Sequence, residues 1–243
     1  MLFYALGAFS VVIFGLASAQ KHTLPITTCR RDSANYSTCL KRSLDEAWPR
    51  FVAGIPEFDF PSLDPLVYKY GKIIINSGEI HGEVILSNIS AVGMSETRFS
   101  DIRTHFLDDV FRLEIDTFIP KLFIEGVVKM DGGLSTFRIN GQGPFNLTTH
   151  DVRSTWDLIG HVVNDTWIVE HFHQLPSIEK FKAHFDLFQD NKGFNDFVVT
   201  FVNEFWPPLY RVMLPAASNI WDPWLTNYSN YFFSKVSFSK IFP

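Results

Sequence analysis

The sequence is poor in cysteine and in charge, and after its first twenty residues it contains no long uninterrupted apolar run. Only Cys29 and Cys39 occur in 243 residues. Two cysteines exclude a disulfide-dense scaffold, and without a C-x-x-C spacing they exclude a dithiol redox motif. Charged residues make up 19% of the chain, 21 basic against 26 acidic, for a net charge of −5. With that balance a polyanion-binding surface is not expected, because phosphate contacts require clustered Lys and Arg, so nucleic acid is set aside as a partner. No later stretch reaches the ~20 apolar residues that an integral membrane span requires. Catalytic signatures are missing too. There is no G-x-S-x-G, no H-E-x-x-H and no P-loop, and Gly141-Gln142-Gly143 lacks the third glycine and the βαβ setting of a dinucleotide site. The sequence does not read as an enzyme and implies no cofactor.

What is abundant is aromatic. There are 25 Phe, and the chain is 16% aromatic and 46% hydrophobic, a globular balance. That is more ring surface than a domain of this size needs to fold, and it hints at an apolar site.

Met1 to Ala19 carries no charged side chain, has an apolar run from Ala8 to Leu16, and ends in Ala17-Ser18-Ala19, a small-x-small cleavage pattern. The expectation is a signal peptide over residues 1–19 and a secreted, extracellular mature chain over 20–243. Five N-x-Ser/Thr sequons, at Asn35, Asn88, Asn146, Asn164 and Asn227, suit a secreted glycoprotein. In an oxidising compartment Cys29 and Cys39 most simply form one disulfide, whose ~10-residue loop contributes about 3 kcal/mol on the loop-entropy model.

Leu40, Leu44, Ala47, Trp48, Phe51 and Val52 recur at three and four, predicting an amphipathic helix that Gly54 stops and Pro49 kinks or shortens. Residues 55–66, with three prolines, read as an extended segment lying over a surface. Between Lys72 and His184 the period becomes two. Phe111, Leu113 and Ile115 alternate with Arg112, Glu114 and Asp116, and Leu122, Ile124 and Val128 alternate with Glu125 and Lys129. Met130-Asp131-Gly132-Gly133 and Asn140-Gly141-Gln142-Gly143-Pro144 read as the turns of an antiparallel meander, and Asp108-Asp109 as another turn. From Asn191 onward Phe194, Phe197, Phe201, Phe205 and Leu209 return to helical spacing, with Asn195 and Asn203 elsewhere on the wheel; Pro207-Pro208 and Pro215 must kink or divide this helix. No linker or internal repeat divides residues 20–243, so a single domain is expected. His171 and His173 share a strand face beside Glu170 and could present two imidazoles to a metal, but no third ligand stands at motif spacing, so no metal is assigned. His150, His161 and His184 carry no role.

The order of these parts resembles the insect takeout and juvenile-hormone-binding family. The resemblance rests on the early cysteine pair, Gly54-Ile55-Pro56 followed by Leu63-Asp64-Pro65-Leu66, Ser87-Asn88-Ile89 leading to Val92-Gly93-Met94-Ser95, Pro120-Lys121-Leu122, Asn140-Gly141-Gln142-Gly143, the stretch Phe185 to Lys192, and the terminal Ile241-Phe242-Pro243. One cysteine pair looks more like the takeout branch. The resemblance implies an α+β fold in which a strongly curved antiparallel sheet wraps a long α-helix, the TULIP-like super-roll of lipid-transfer proteins. One-sided strands beside a Phe-striped helix independently require two apolar faces to meet. The implied function is a secreted carrier that sequesters a small hydrophobic ligand, such as a terpenoid hormone, a fatty acid or another lipid, in an elongated apolar tunnel. The alternative is a glycoprotein with a filled core acting through protein–protein contact; no receptor is identifiable. The expected lining residues are Phe111, Leu113, Ile115, Leu122, Ile124, Phe137, Phe197, Phe201 and Phe205.

Overall fold

The computed structural model describes residues 27–77, 80–134 and 137–243. The expected signal peptide, Met1 to Ala19, lies outside the described residues. Seven strands, β1 (Leu66–Ser77), β2 (Ile80–Val92), β3 (Arg98–Leu107), β4 (Val110–Leu134), β5 (Phe137–Val163), β6 (Thr166–His173) and β7 (Lys180–Phe185), precede a long helix. All pair antiparallel in the order β1-β2-β4-β5-β6, with β3 beside the first half of β4 and β7 beside β5. The helices are α1 (Tyr36–Ala53), α2 (Lys192–Phe233) and the short α3 (Phe238–Ile241).

β4 and β5 run for 25 and 27 residues, several times the usual strand length. The turns expected at residues 130–133 and 140–144 are instead inside these strands, and the glycines there serve close approach. A Cβ on Gly132 would lie 2.7 Å from the His81 carbonyl oxygen, and one on Gly143 would lie 1.7 Å from that of Asp186. Only a residue without a side chain lets the neighbouring backbone come that near. The Asp108-Asp109 turn is present between β3 and β4, with Asp108 at φ 52°. A second tight turn joins β5 to β6 at Asn164-Asp165, where both residues have positive φ as a mirror-type hairpin requires. The buried positions of β4 are odd-numbered through Ile119 and even-numbered at Val128, and those of β5 change from Thr149 to Val152. This change of parity crosses Pro120 in one strand and Asp151, with φ 53°, in the other. It divides the long strands into two halves, each with its own core.

α1 continues unbroken to Ala53 through Pro49, which sits on the exposed side; the missing donor leaves the exposed Asp45 carbonyl to water. The Cys29–Cys39 disulfide forms, with Cα atoms 5.8 Å apart. Residues 55–66 do not lie extended over a surface. Pro56–Phe58 make one 3-10 turn, Ile55 bridges Phe60, and Ile55, Phe58, Phe60 and Leu63 are all buried.

α2 starts where Asn191 Oδ1 accepts the Phe194 N–H at 3.1 Å, and it loses helical geometry at Phe205 (φ −109°, ψ 16°), just before Pro207-Pro208. Its attachment to the sheet is polar. Asn203 accepts the Ala183 N–H at 2.8 Å and donates to the Ala183 carbonyl at 2.7 Å. Asn230 does the same for Val169 at 2.9 and 2.7 Å, and Asn195 accepts from Leu187 and donates to Phe185, both at 2.9 Å. Each side-chain amide thus stands in for a neighbouring strand along the exposed edges of β6 and β7, satisfying backbone groups that would otherwise be orphaned. Asn195 and Asn203, expected away from the packed face, are therefore among the residues that dock the helix.

Candidate ligand-binding groove

The first half of β4 and β5 packs into a dense aromatic core. Phe111, 1% exposed, is surrounded by the rings of Phe106, Trp167, Phe238 and Phe242 at 4.7 to 4.9 Å. Trp48 meets Phe99 edge-on at 5.1 Å and donates to the Met94 carbonyl at 3.0 Å. The chain end closes this core: Arg31 donates to the Phe242 carbonyl and lies 4.1 Å over the Phe106 ring. Burial pushes the Tyr228 phenol well up, so it stays neutral and donates at 3.0 Å to the carbonyls of Pro61 and Ser62.

The second half is thinner. Its buried cluster is Ile73, Val84, Val128, Phe145 and Leu187, while Leu86, Ile89, Ile124, Met130 and Leu147 beside them are only half-buried. From α2 only Ala216, Ala217 and Ile220 reach this cluster, side chains too small or too few to cover it. Phe188 belongs to the cluster's margin and opens a series of rings along α2. Phe188 meets Phe194 at 4.6 Å, Phe194 meets Phe197 at 6.4 Å, Phe197 meets Phe201 at 6.3 Å and Phe201 meets Phe205 at 5.0 Å. Phe194, Phe197, Phe201 and Phe205 are 36, 62, 37 and 49% exposed. The helix has turned its docking amides toward the strand edge, which leaves its phenylalanines uncovered.

The expected lining residues accordingly separate. Phe111, Leu113 and Ile115 are enclosed in the aromatic core, where protein atoms occupy the space around them. Leu122 and Ile124 are half-buried in the second half, and Phe197, Phe201 and Phe205 form the ladder. The Phe137 side chain lies outside the described residues; its backbone pairs with Leu134. Phe188, Leu86 and Leu147 complete the apolar surface. Their signal was present: Leu86 lies at period two from Val84, and Phe188 stands three residues before the helix cap Asn191. Elsewhere on α2, Trp221 has a buried Nε1–H with no hydrogen-bond partner.

A separate concavity of about 460 Å³ opens on the opposite face of the sheet, lined by Asn88, Ser90, Glu125, Asn146, His184 and Asp186 among others. Its walls mix polar side chains with Val127, Pro144 and Phe145, and they include two of the sequon asparagines, Asn88 and Asn146. All five sequon asparagines are exposed. Along β6, His171 and His173 face Asp222 of α2. Among the described residues, no helix is long and apolar enough to cross a membrane.

The sequence matches the family model for haemolymph juvenile hormone binding protein over residues 9–243. The crystal structure of Epiphyas postvittana Takeout 1 superposes with a TM-score of 0.69 at 19% identity, covering 88% of this chain and 98% of that one. A lipopolysaccharide binding protein structure aligns over 78% of this chain and 38% of its own, at 13% identity and a TM-score of 0.32. No curated protein sequence matches. The fold is that of Takeout 1, an open seven-stranded antiparallel sheet with a long C-terminal helix.

Proposed function

The chain belongs to the haemolymph juvenile hormone binding protein family, and from that premise we propose that it is a secreted carrier of a small hydrophobic ligand, with no catalytic role. The observation that carries this reading is the ladder of partly exposed phenylalanines on α2, continuous through Phe188 with the half-buried face of β2, β4 and β5. Contiguous uncovered apolar surface of this kind, rimmed by polar groups, is where ligands dock. Secretion is supported by the Cys29–Cys39 bridge and by the exposure of all five sequon asparagines.

Binding is by partition. Each methylene moved from water onto this surface gains ~0.8 kcal/mol, so a chain of about ten gains ~8 kcal/mol before the cost of immobilising it. A lipid lying against Phe197, Phe201 and Phe205 on one side and Ile124 and Leu147 on the other would bury both partners. The test is mass spectrometry of the glycosylated protein from secreting cells, under native conditions and after organic extraction, with titration of an uncharged fluorescent apolar probe. A stoichiometric lipid, or probe uptake displaced by fatty acid or terpenoid, is expected. A protein that carries nothing and takes up no probe would leave a filled-core interaction protein as the reading.

A further inference from the structure

We propose that His171, His173 and Asp222 form a zinc-type divalent metal site that fastens α2 to β6. His171 and His173 stand two apart on β6 and project from one face, their rings stacked at 5.1 Å with an interplanar angle of 12°. Asp222 comes from α2, about fifty residues later. Its Oδ2 lies 2.8 Å from Nδ1 of His173 and 3.6 Å from Nδ1 of His171. One ligand atom from each of the three lies within 4.8 Å of the others. Donors around tetrahedral zinc stand about 3.4 Å apart at metal–ligand distances near 2.1 Å, so the 2.8 Å pair must open by roughly half an ångström and the two imidazole nitrogens, within 4.8 Å of each other, must settle to the same spacing, a side-chain adjustment that the exposed rings can make.

The carboxylate is already aimed. Its other oxygen, Oδ1, accepts the Phe172 N–H and the Thr226 hydroxyl, both at 3.0 Å, which turns Oδ2 toward the two imidazoles. Such outer contacts are what hold a metal-binding carboxylate in place. The imidazoles are 59 and 53% exposed, so metal reaches them from solvent and a water completes the coordination. Two imidazole nitrogens and one carboxylate oxygen suit zinc better than calcium or magnesium, which take oxygen ligands. The neighbouring acid, Glu170, is turned away to His161 at 3.1 Å. A metal here joins a strand and a helix that are otherwise held at this point by the Asp222 and Asn230 hydrogen bonds, so its binding would add to the stability of the docked helix.

The experiment uses untagged full chain, stripped with chelator, and titrates zinc against a chromophoric indicator with Co²⁺ as a spectroscopic substitute. One equivalent is expected at a dissociation constant of about micromolar, with the visible absorption of four-coordinate Co²⁺ and a rise in melting temperature. The double variant His171→Gln/His173→Gln, whose metal-free melting should match the parent because both rings are exposed, is expected to bind at least ~10-fold more weakly and lose the zinc-induced rise. His171→Gln alone provides the milder check on folding. No saturable binding by the parent below about 1 mM, or a double variant that holds zinc within ~10-fold of the parent, overturns the proposal.

Discussion

Along β4 and β5 the same alternation of apolar and polar residues meets two different partners. From Val110 to Ile119 the apolar side is covered by Trp48, the 55–63 segment and the terminal phenylalanines, which interlock ring against ring. From Leu122 to Leu134 it faces α2, which holds on through asparagines and brings two alanines and an isoleucine to the interface. The strands do not determine which half is solid. The covering element does: an aromatic side chain directed inward fills space, while an aromatic side chain on the flank of a helix pinned by its amides leaves an uncovered apolar surface.

Substitutions at the two ends should have opposite profiles, and this is the largest effect to look for. Phe111→Ala removes a ring enclosed by four others and should cost about 3–5 kcal/mol, with little change in probe affinity per folded molecule. Phe201→Ser should cost below about 1 kcal/mol and weaken the probe by roughly tenfold, because its ring is already partly in water. Denaturant unfolding and probe titration on both variants provide the test. Equal destabilisation would mean that both ends are filled alike. A smaller effect concerns the helix attachment itself. Asn203→Ala and Asn230→Ala each orphan a backbone N–H and C=O on a strand edge and should cost about 1–3 kcal/mol. Hydrogen exchange should localise the loss, at the Ala183 amide in one variant and the Val169 amide in the other. Global, unlocalised loss would show that α2 is held by its apolar residues after all.

Much of this architecture was legible from period and punctuation alone. The change from odd to even apolar positions between Ile115 and Leu122 was visible in the letters, and it corresponds to the division of the sheet. The length of the strands was not visible, because Gly132, Gly141 and Gly143 punctuate the sequence as turns do; only the neighbouring backbone reveals that they make room for it. The helix's orientation was hidden for a related reason. Asparagine is a poor helix former and reads as solvent-facing, yet at Asn195, Asn203 and Asn230 its amide matches the donor–acceptor spacing of an unpaired strand edge. Asp222 was beyond reach because its partners lie some fifty residues away, with no fixed spacing to search for.

Acid provides the gentlest test of the two-ended picture. Asp64 is partly desolvated, which favours its neutral form, but the Ser95 and Gly93 hydrogen bonds outweigh this and hold its carboxyl below the usual range. Asp101 and Asp116 are held low chiefly by Arg103, and Glu114 by His105. All four lie around the aromatic half. A group with a depressed folded value stabilises the fold above its unfolded value, and that contribution disappears as pH falls through the folded value. Stability should therefore decline as pH falls from about 5 through and below the ordinary carboxylate range, and Asp64→Asn should flatten the decline slightly, by under about 1 kcal/mol given its exposure. Because Trp48, Trp156 and Trp167 report on that half, their fluorescence should change while the Phe201 surface still takes up probe. Loss of probe binding before any tryptophan change would place the acid-sensitive contacts at the open end and reverse the assignment of which half is the firm one.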